Sequence, residues 1–215
     1  MKKLGKFIRD VIIFAFLLLC IFSVFVTIVS KKDADGAADV FGYQMRVVVS
    51  DSMAKCEHTD VSAYEIKDIP VRSLVFVKTM PKTAAEADAF YRSLKVGDVL
   101  TFRYVYTTQV TITHRITSIT EKETGGFIIE LAGDNKNSED SHLTQVIDTS
   151  IPNNTNYVIG KVVGRSYLLG LIMNFLKQPV GIVTFVIVPC FIIIMFEVVK
   201  IARVLDEDRR RSDIY

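Results

Sequence analysis

Gln109–Ile119 reads QVTITHRITSI, and this stretch decides the fold class. Val110, Ile112 and Ile116 fall on one parity, and Thr111, Thr113 and Thr117 on the other. Such alternation is the period of a β-strand with one buried face. His114 shares the apolar parity, so it is expected to point inward. Downstream, Gly125-Gly126 is a turn signal, and Phe127–Leu131 (FIIEL) returns as the hairpin partner. Upstream, Val99–Tyr104 (VLTFRY) is expected as a strand after the turn Gly97-Asp98. Arg46–Val49 (RVVV), Ser73–Lys78 (SLVFVK) and Tyr157–Val163 also read as strands. Thr83–Leu94 is Ala-rich and helix-competent, Lys31–Asp39 is a polar linker, and Gly133–His142 is a polar loop. The expected architecture is mainly β, a small barrel or sandwich whose strand edges must be covered or closed.

Half of the 215 residues are hydrophobic although 23% are charged, so apolar and charged residues are segregated. The apolar residues concentrate at the two ends. Val11–Val29 is nineteen residues without a charge, enough at about 1.5 Å per residue to cross a hydrocarbon core of about 30 Å. A cleaved signal peptide also begins with a basic segment. However, this run is longer than a typical signal core and ends at Lys31-Lys32 without a small-x-small site, which favours an uncleaved anchor. Val180–Phe196 is equally charge-free and extends past Glu197 to Val199, with Pro189 expected to kink it. Leu168–Leu176 reads as a short apolar lead-in at the interface.

Lys2, Lys3, Lys6 and Arg9 precede the first run; Lys200, Arg203 and Arg209–Arg211 follow the second. The positive-inside rule then gives a cytoplasmic tail 1–10, a span 11–29, an extracytoplasmic domain 31–178, a span 180–199 and a cytoplasmic tail 200–215. The expected location is the plasma membrane, or the endoplasmic-reticulum membrane in a eukaryote, with the bilayer as a partner. Residues 31–178 carry 17 basic and 18 acidic side chains, so they lack the basic surplus of a nucleic-acid-binding module, and no nucleic-acid partner is expected. Cys20 and Cys190 lie in the apolar runs, leaving Cys56 alone in the middle. A disulfide framework and a cysteine zinc site there are thereby excluded.

Three polar clusters carry candidate chemistry. Ser50-Asp51-Ser52-Met53 ends a predicted strand; a serine nucleophile needs a base, and an ordinary turn has the same composition. In Thr113-His114-Arg115, a general base and a satisfied core histidine fit His114 about equally. His58 and His142 read as solvated, and the three histidines lack metal-ligand spacing. Gly133–Ser141 (GDNKNSEDS) offers a carboxylate to orient an imidazole, or is an acidic surface loop.

Ser-x-Ser-Met after a β-branched strand, Gly-Asp-Val-Leu-Thr-Phe, Thr-His-Arg-Ile and Gly-Asp-Asn…Asp occur here in that order. The ordered set resembles type I signal peptidase over roughly Arg46–Arg165. Histidine at 114, where the main bacterial branch has lysine, resembles the endoplasmic-reticulum and archaeal branch, which also occurs in some Gram-positive bacteria. The resemblance implies Ser52 as nucleophile, His114 as general base and Asp140 as the acid supporting it. It further implies a structural role for Asp134 and an oxyanion-assisting hydroxyl on Ser50. The implied reaction is hydrolysis of one peptide bond in a secreted preprotein, after small residues at −1 and −3, without metal or cofactor. Three departures bear on substrate choice more than chemistry: Ala54-Lys55 after Met53, the long Thr79–Lys95 stretch, and Lys136.

Two other readings compete. A non-catalytic, membrane-tethered β module would share the anchors and strand pattern, but would not need Ser52, His114 and Asp140 together. A peptidase dedicated to one set of surface or pilus proteins would share the chemistry as well. A lysine-dyad protease using Lys78 fits poorly, because Lys78 ends a strand well before the position of the base.

Overall fold

The structure is a computed structural model. It describes residues 10–11, 13–14, 16–18, 20–21, 25, 31–32, 37–57, 59–104, 110–139, 143–151 and 157–212. The chain forms two compact units, Val29–Met173 and a second made of Met1–Ile28 with Asn174–Tyr215.

The first unit is mainly β. Its strands are β1 (Lys31–Lys32), β2 (Ala38–Val40), β3 (Tyr43–Val47), β4 (Leu74–Thr79), β5 (Val99–Tyr104), β6 (Val110–Glu121), β7 (Phe127–Ala132), β8 (Gln145–Asp148) and β9 (Tyr157–Ser166). Helix α1 (Ala84–Ser93) lies between β4 and β5, and α2 (Tyr167–Leu176) follows β9. All strand pairings are antiparallel, in the order β1-β2-β3-β4-β9-β5-β6-β7-β8. The last strand in sequence therefore lies between β4 and β5.

Each face of the sheet carries a core cluster. On β5, Leu100 and Phe102 enter one cluster with Ile116, Ile129, Leu131 and Ile147. Val99, one residue away and so on the opposite face, enters the other with Met53, Ile69, Val75, Val77 and Val162. Register carries this division into β6: Leu100 pairs with His114, and Val99 with Arg115. Neighbouring residues of one strand thus reach opposite sides. Two turns rest on glycine: Gly125-Gly126 closes the β6–β7 hairpin at φ +89° and +85°, and Gly97 has φ +95°. A Cβ on Gly97 would lie 2.3 Å from the Tyr64 ring, so this turn also needs the missing side chain.

The strand boundaries refine the sequence reading. β5 has the predicted limits, and α1 lies inside the predicted helical stretch. β3 starts earlier than expected and stops at Val47, although Val48 N–H still donates to the Ser73 carbonyl at 2.9 Å. β1 and β2 occupy part of the expected linker, and β8 was not anticipated.

The second unit corrects the expected membrane spans. Among the described residues no helix is long and apolar enough to cross a membrane. The run read as one span at 180–199 is divided between α3 (Pro179–Ile182), a π-helical segment Val183–Ile187, and α4 (Val188–Ser212). Pro189, which has no N–H to donate, stands just after the π segment. In α4, charges begin at Glu197 and recur at Lys200 and Arg203. The charge-free part, Val188–Phe196, extends only about 13 Å at the α-helical rise, less than half of a hydrocarbon core of about 30 Å. In the first run, residues 12, 15, 19, 22–24 and 26–29 lie outside the described residues. The two flanking transmembrane helices are therefore not part of the fold shown. The multi-pass placement at the plasma or endoplasmic-reticulum membrane, with both tails cytoplasmic, is corrected with them.

Candidate active site

The turn after β3 is built by backbone hydrogen bonds. Ala54 N–H donates to the Asp51 carbonyl at 2.8 Å, folding Ser52 and Met53 into a tight turn. Ile69 N–H donates to the Met53 carbonyl at 2.7 Å, and the Met53 side chain is buried beside Ile69 and Val75. Met53 thus anchors the turn, fixing the position of the serine before it. Ser52 is only 4% exposed, and its Oγ lies 3.2 Å from Ser50 Oγ.

The Gly133–Ser138 segment holds this turn from the other side. Asn135 N–H donates to the Ser52 carbonyl at 2.8 Å. The Asn135 amide donates to the Asp51 carbonyl at 3.2 Å, and Ser138 Oγ–H donates to Asp51 Oδ1 at 2.6 Å. Asp134 does not turn towards His114. It takes a bidentate bond from Arg115, Nε to Oδ1 at 2.8 Å and Nη2 to Oδ2 at 2.6 Å.

His114 is 1% exposed on β6, with its ring 6.5 Å from that of Phe102. Its Nδ1 is 2.6 Å from Oε1 of Gln145, the first residue of β8. Gln145 was missed from sequence, where it belongs to no motif. Its one signal is parity: Gln145 and Ile147 are buried while Val146 is exposed, so the amide occupies a core-facing position.

Ser50, Ser52, His114 and Gln145 line one cleft of about 610 Å³. Met53, Val75 and Ile112 contribute apolar wall, and Arg46, Glu139 and Leu143 also line it. Arg46 was read from sequence only as part of a strand. Its guanidinium donates to Gln44 Oε1 at 3.0 and 2.8 Å and to Thr111 Oγ1 at 3.3 Å. Val49, two residues past the end of β3, also lines the cleft and is 87% exposed.

The structure therefore places Ser50, Ser52 and His114 on the lining of one cleft and sets Asp134 apart on Arg115. Asp140, expected as the supporting acid, lies outside the described residues, as do His58 and His142. Lys78 is exposed on β4 and is not among the residues lining the cleft. Cys56 is buried, four residues after Ser52 in sequence. Among the described residues no three His, Cys, Asp or Glu side chains gather as metal ligands. No protein family and no curated protein matches this chain.

Proposed function

We propose that this chain is a serine endopeptidase that removes N-terminal signal peptides from preproteins, with Ser52 as nucleophile and His114 as general base. One observation carries this reading: two buried residues, one on the turn after β3 and the other on β6, line the same cleft. In the reaction, His114 takes the Ser52 hydroxyl proton as Oγ attacks the scissile carbonyl carbon. Collapse of the tetrahedral intermediate breaks the C–N bond, and His114 gives its proton to the leaving amine. Water, deprotonated by the same imidazole, then hydrolyses the acyl-enzyme. Donors at the end of the Arg46–Val49 segment, with Ser50 among the candidates, would hold the oxyanion; one such donor is worth about 2.7–4 kcal/mol. Small residues at −1 and −3 follow from the motif resemblance carried by Ser52, His114 and the Gly-Asp-Asn loop.

The test is cleavage of a preprotein by the purified full chain, beside Ser52→Ala and His114→Ala. A single cut after a small residue, abolished in both folded variants, supports the reading. Equal cutting by the variants, or no cutting of several preproteins by the wild type, points instead to a non-catalytic binding module.

A further inference from the structure

We infer that Gln145 is a positioning residue that fixes the tautomer of His114, doing with a neutral amide what a carboxylate does in a serine–histidine–aspartate site. The inference rests on the peptidase reading for its kinetic consequences, but its structural content stands on its own.

Three observations carry it. The contact between His114 Nδ1 and Gln145 Oε1 is 2.6 Å, short for a hydrogen bond between neutral groups. Both side chains are buried, at 1% and 7% exposure. Gln145 also occupies a position that the strand pattern reserves for an apolar residue. β8 alternates buried Gln145, exposed Val146 and buried Ile147, and Ile147 belongs to the core cluster. An amide there loses its hydration, which is unfavourable unless a partner replaces it. His114 is that partner.

The chemistry follows from the donor rules. An amide oxygen only accepts, so the proton in this contact sits on Nδ1. A neutral imidazole carries one ring proton, so Nε2 keeps its lone pair and is the basic nitrogen. General-base catalysis by His114 needs that state, because only a nitrogen with a lone pair can take the serine proton. Being uncharged, Gln145 sets the tautomer without bringing to the imidazole the negative charge that a carboxylate at the same place would. Register makes the placement reproducible: Gln145 pairs with Leu131 on β7, and β7 pairs with β6, the strand that carries His114.

The experiment has two arms on the full chain. The first is ¹⁵N–¹H NMR of histidine-labelled protein above the imidazole pKa, with His114 assigned by its absence in His114→Ala. The expected result is protonated Nδ1 and unprotonated Nε2 in the wild type and in Gln145→Glu, but loss of that preference in Gln145→Leu. A protonated Nε2 in the wild type, or an unchanged tautomer in Gln145→Leu, overturns the inference. The second arm is the pH profile of preprotein cleavage. Gln145→Leu should lose at least about tenfold in kcat, part of the 10²–10⁴-fold that a positioned base contributes in full, with KM changed less than about twofold. Gln145→Glu should recover most of the kcat lost in Gln145→Leu and move the acid limb of kcat to higher pH, which a merely structural role would not do. An unmoved acid limb in an active Gln145→Glu also overturns it. If no preprotein is cut but the tautomer responds as described, the peptidase reading falls and the positioning role stands.

Discussion

Arg115 holds Asp134 by both carboxylate oxygens, at 2.8 and 2.6 Å, with the two side chains only 5% and 6% exposed. The remaining guanidinium contacts go to the Gly97 carbonyl at 2.7 Å and the Lys67 carbonyl at 2.8 Å. The same group lies over the Tyr64 ring, 4.7 Å from its centroid. Asp134 is thereby committed to joining β6 to the loop that begins with Asn135. Since Asn135 N–H holds the Ser52 carbonyl, the ion pair bears on the Ser52 turn from a distance. Residues 114 and 115 divide the labour: one faces the cleft, and the next fastens the loop on the opposite face.

Asp134→Asn should be strongly destabilising. It leaves the Arg115 charge buried without a counter-charge, and breaking such a pair costs about 3–5 kcal/mol. Chemical denaturation of both proteins measures this. Arg115→Met combined with Asp134→Leu should recover part of the loss, because no charge is then stranded.

Ser138→Ala should weaken the clamp on Asp51. A hydrogen bond to a charged group is worth about 1.5–3 kcal/mol, and this one is partly buried at 2.6 Å. A fall in thermal stability together with a lower kcat is expected, since the clamped turn carries Ser52. Measuring both on one preparation separates a loosened site from a smaller folded fraction.

Asp140→Asn should lower kcat more than Asp134→Asn when rates are corrected for folded protein. The Gly-Asp-Asn aspartate is occupied by Arg115, whereas the motif order assigns Asp140 a supporting charge for the base, distinct from the Nδ1 contact that Gln145 makes. Active-site titration with a serine-directed reagent gives the correction, and the reverse order would move the supporting role to Asp134.

Asp148 should make stability acid-sensitive. Hydrogen bonds from Ser150, then Lys122, lower its pKa from 3.8 to about 2. A carboxyl more acidic in the folded chain than in the unfolded one stabilises the fold at pH above the unfolded value. That contribution is lost as pH falls from 3.8 towards about 2. Asp148→Asn should therefore be less stable than wild type near neutrality, and the difference should close across that window. Urea melts of both proteins at several pH values test it.

Local periodicity made the β character legible, because period-two alternation follows from strand geometry alone. It placed β5, β6, β7 and β9 closely and pointed His114 inward, as the 1% exposure shows. The short β1, β2 and β8 carry too few residues for a pattern to emerge. Counting apolar residues also overstated the C-terminal span. Hydropathy registers the oil in 180–199, but not the π segment at Val183–Ile187 or the restart at Val188.

Motif order singled out Ser50, Ser52, His114 and Asp134, since residue types and their sequence are properties of the chain as written. Only the tertiary structure decided what each one touches. Asp134 could have faced His114 or Arg115, and the β5–β6 register, which sends residues 114 and 115 to opposite faces, gave it to Arg115. Gln145 carries no local signal of chemistry, because an amide acquires its role only from the group opposite it. That opposition depends on β8 pairing with β7 and β7 with β6, long-range contacts set by packing the whole sheet rather than by the residues beside Gln145.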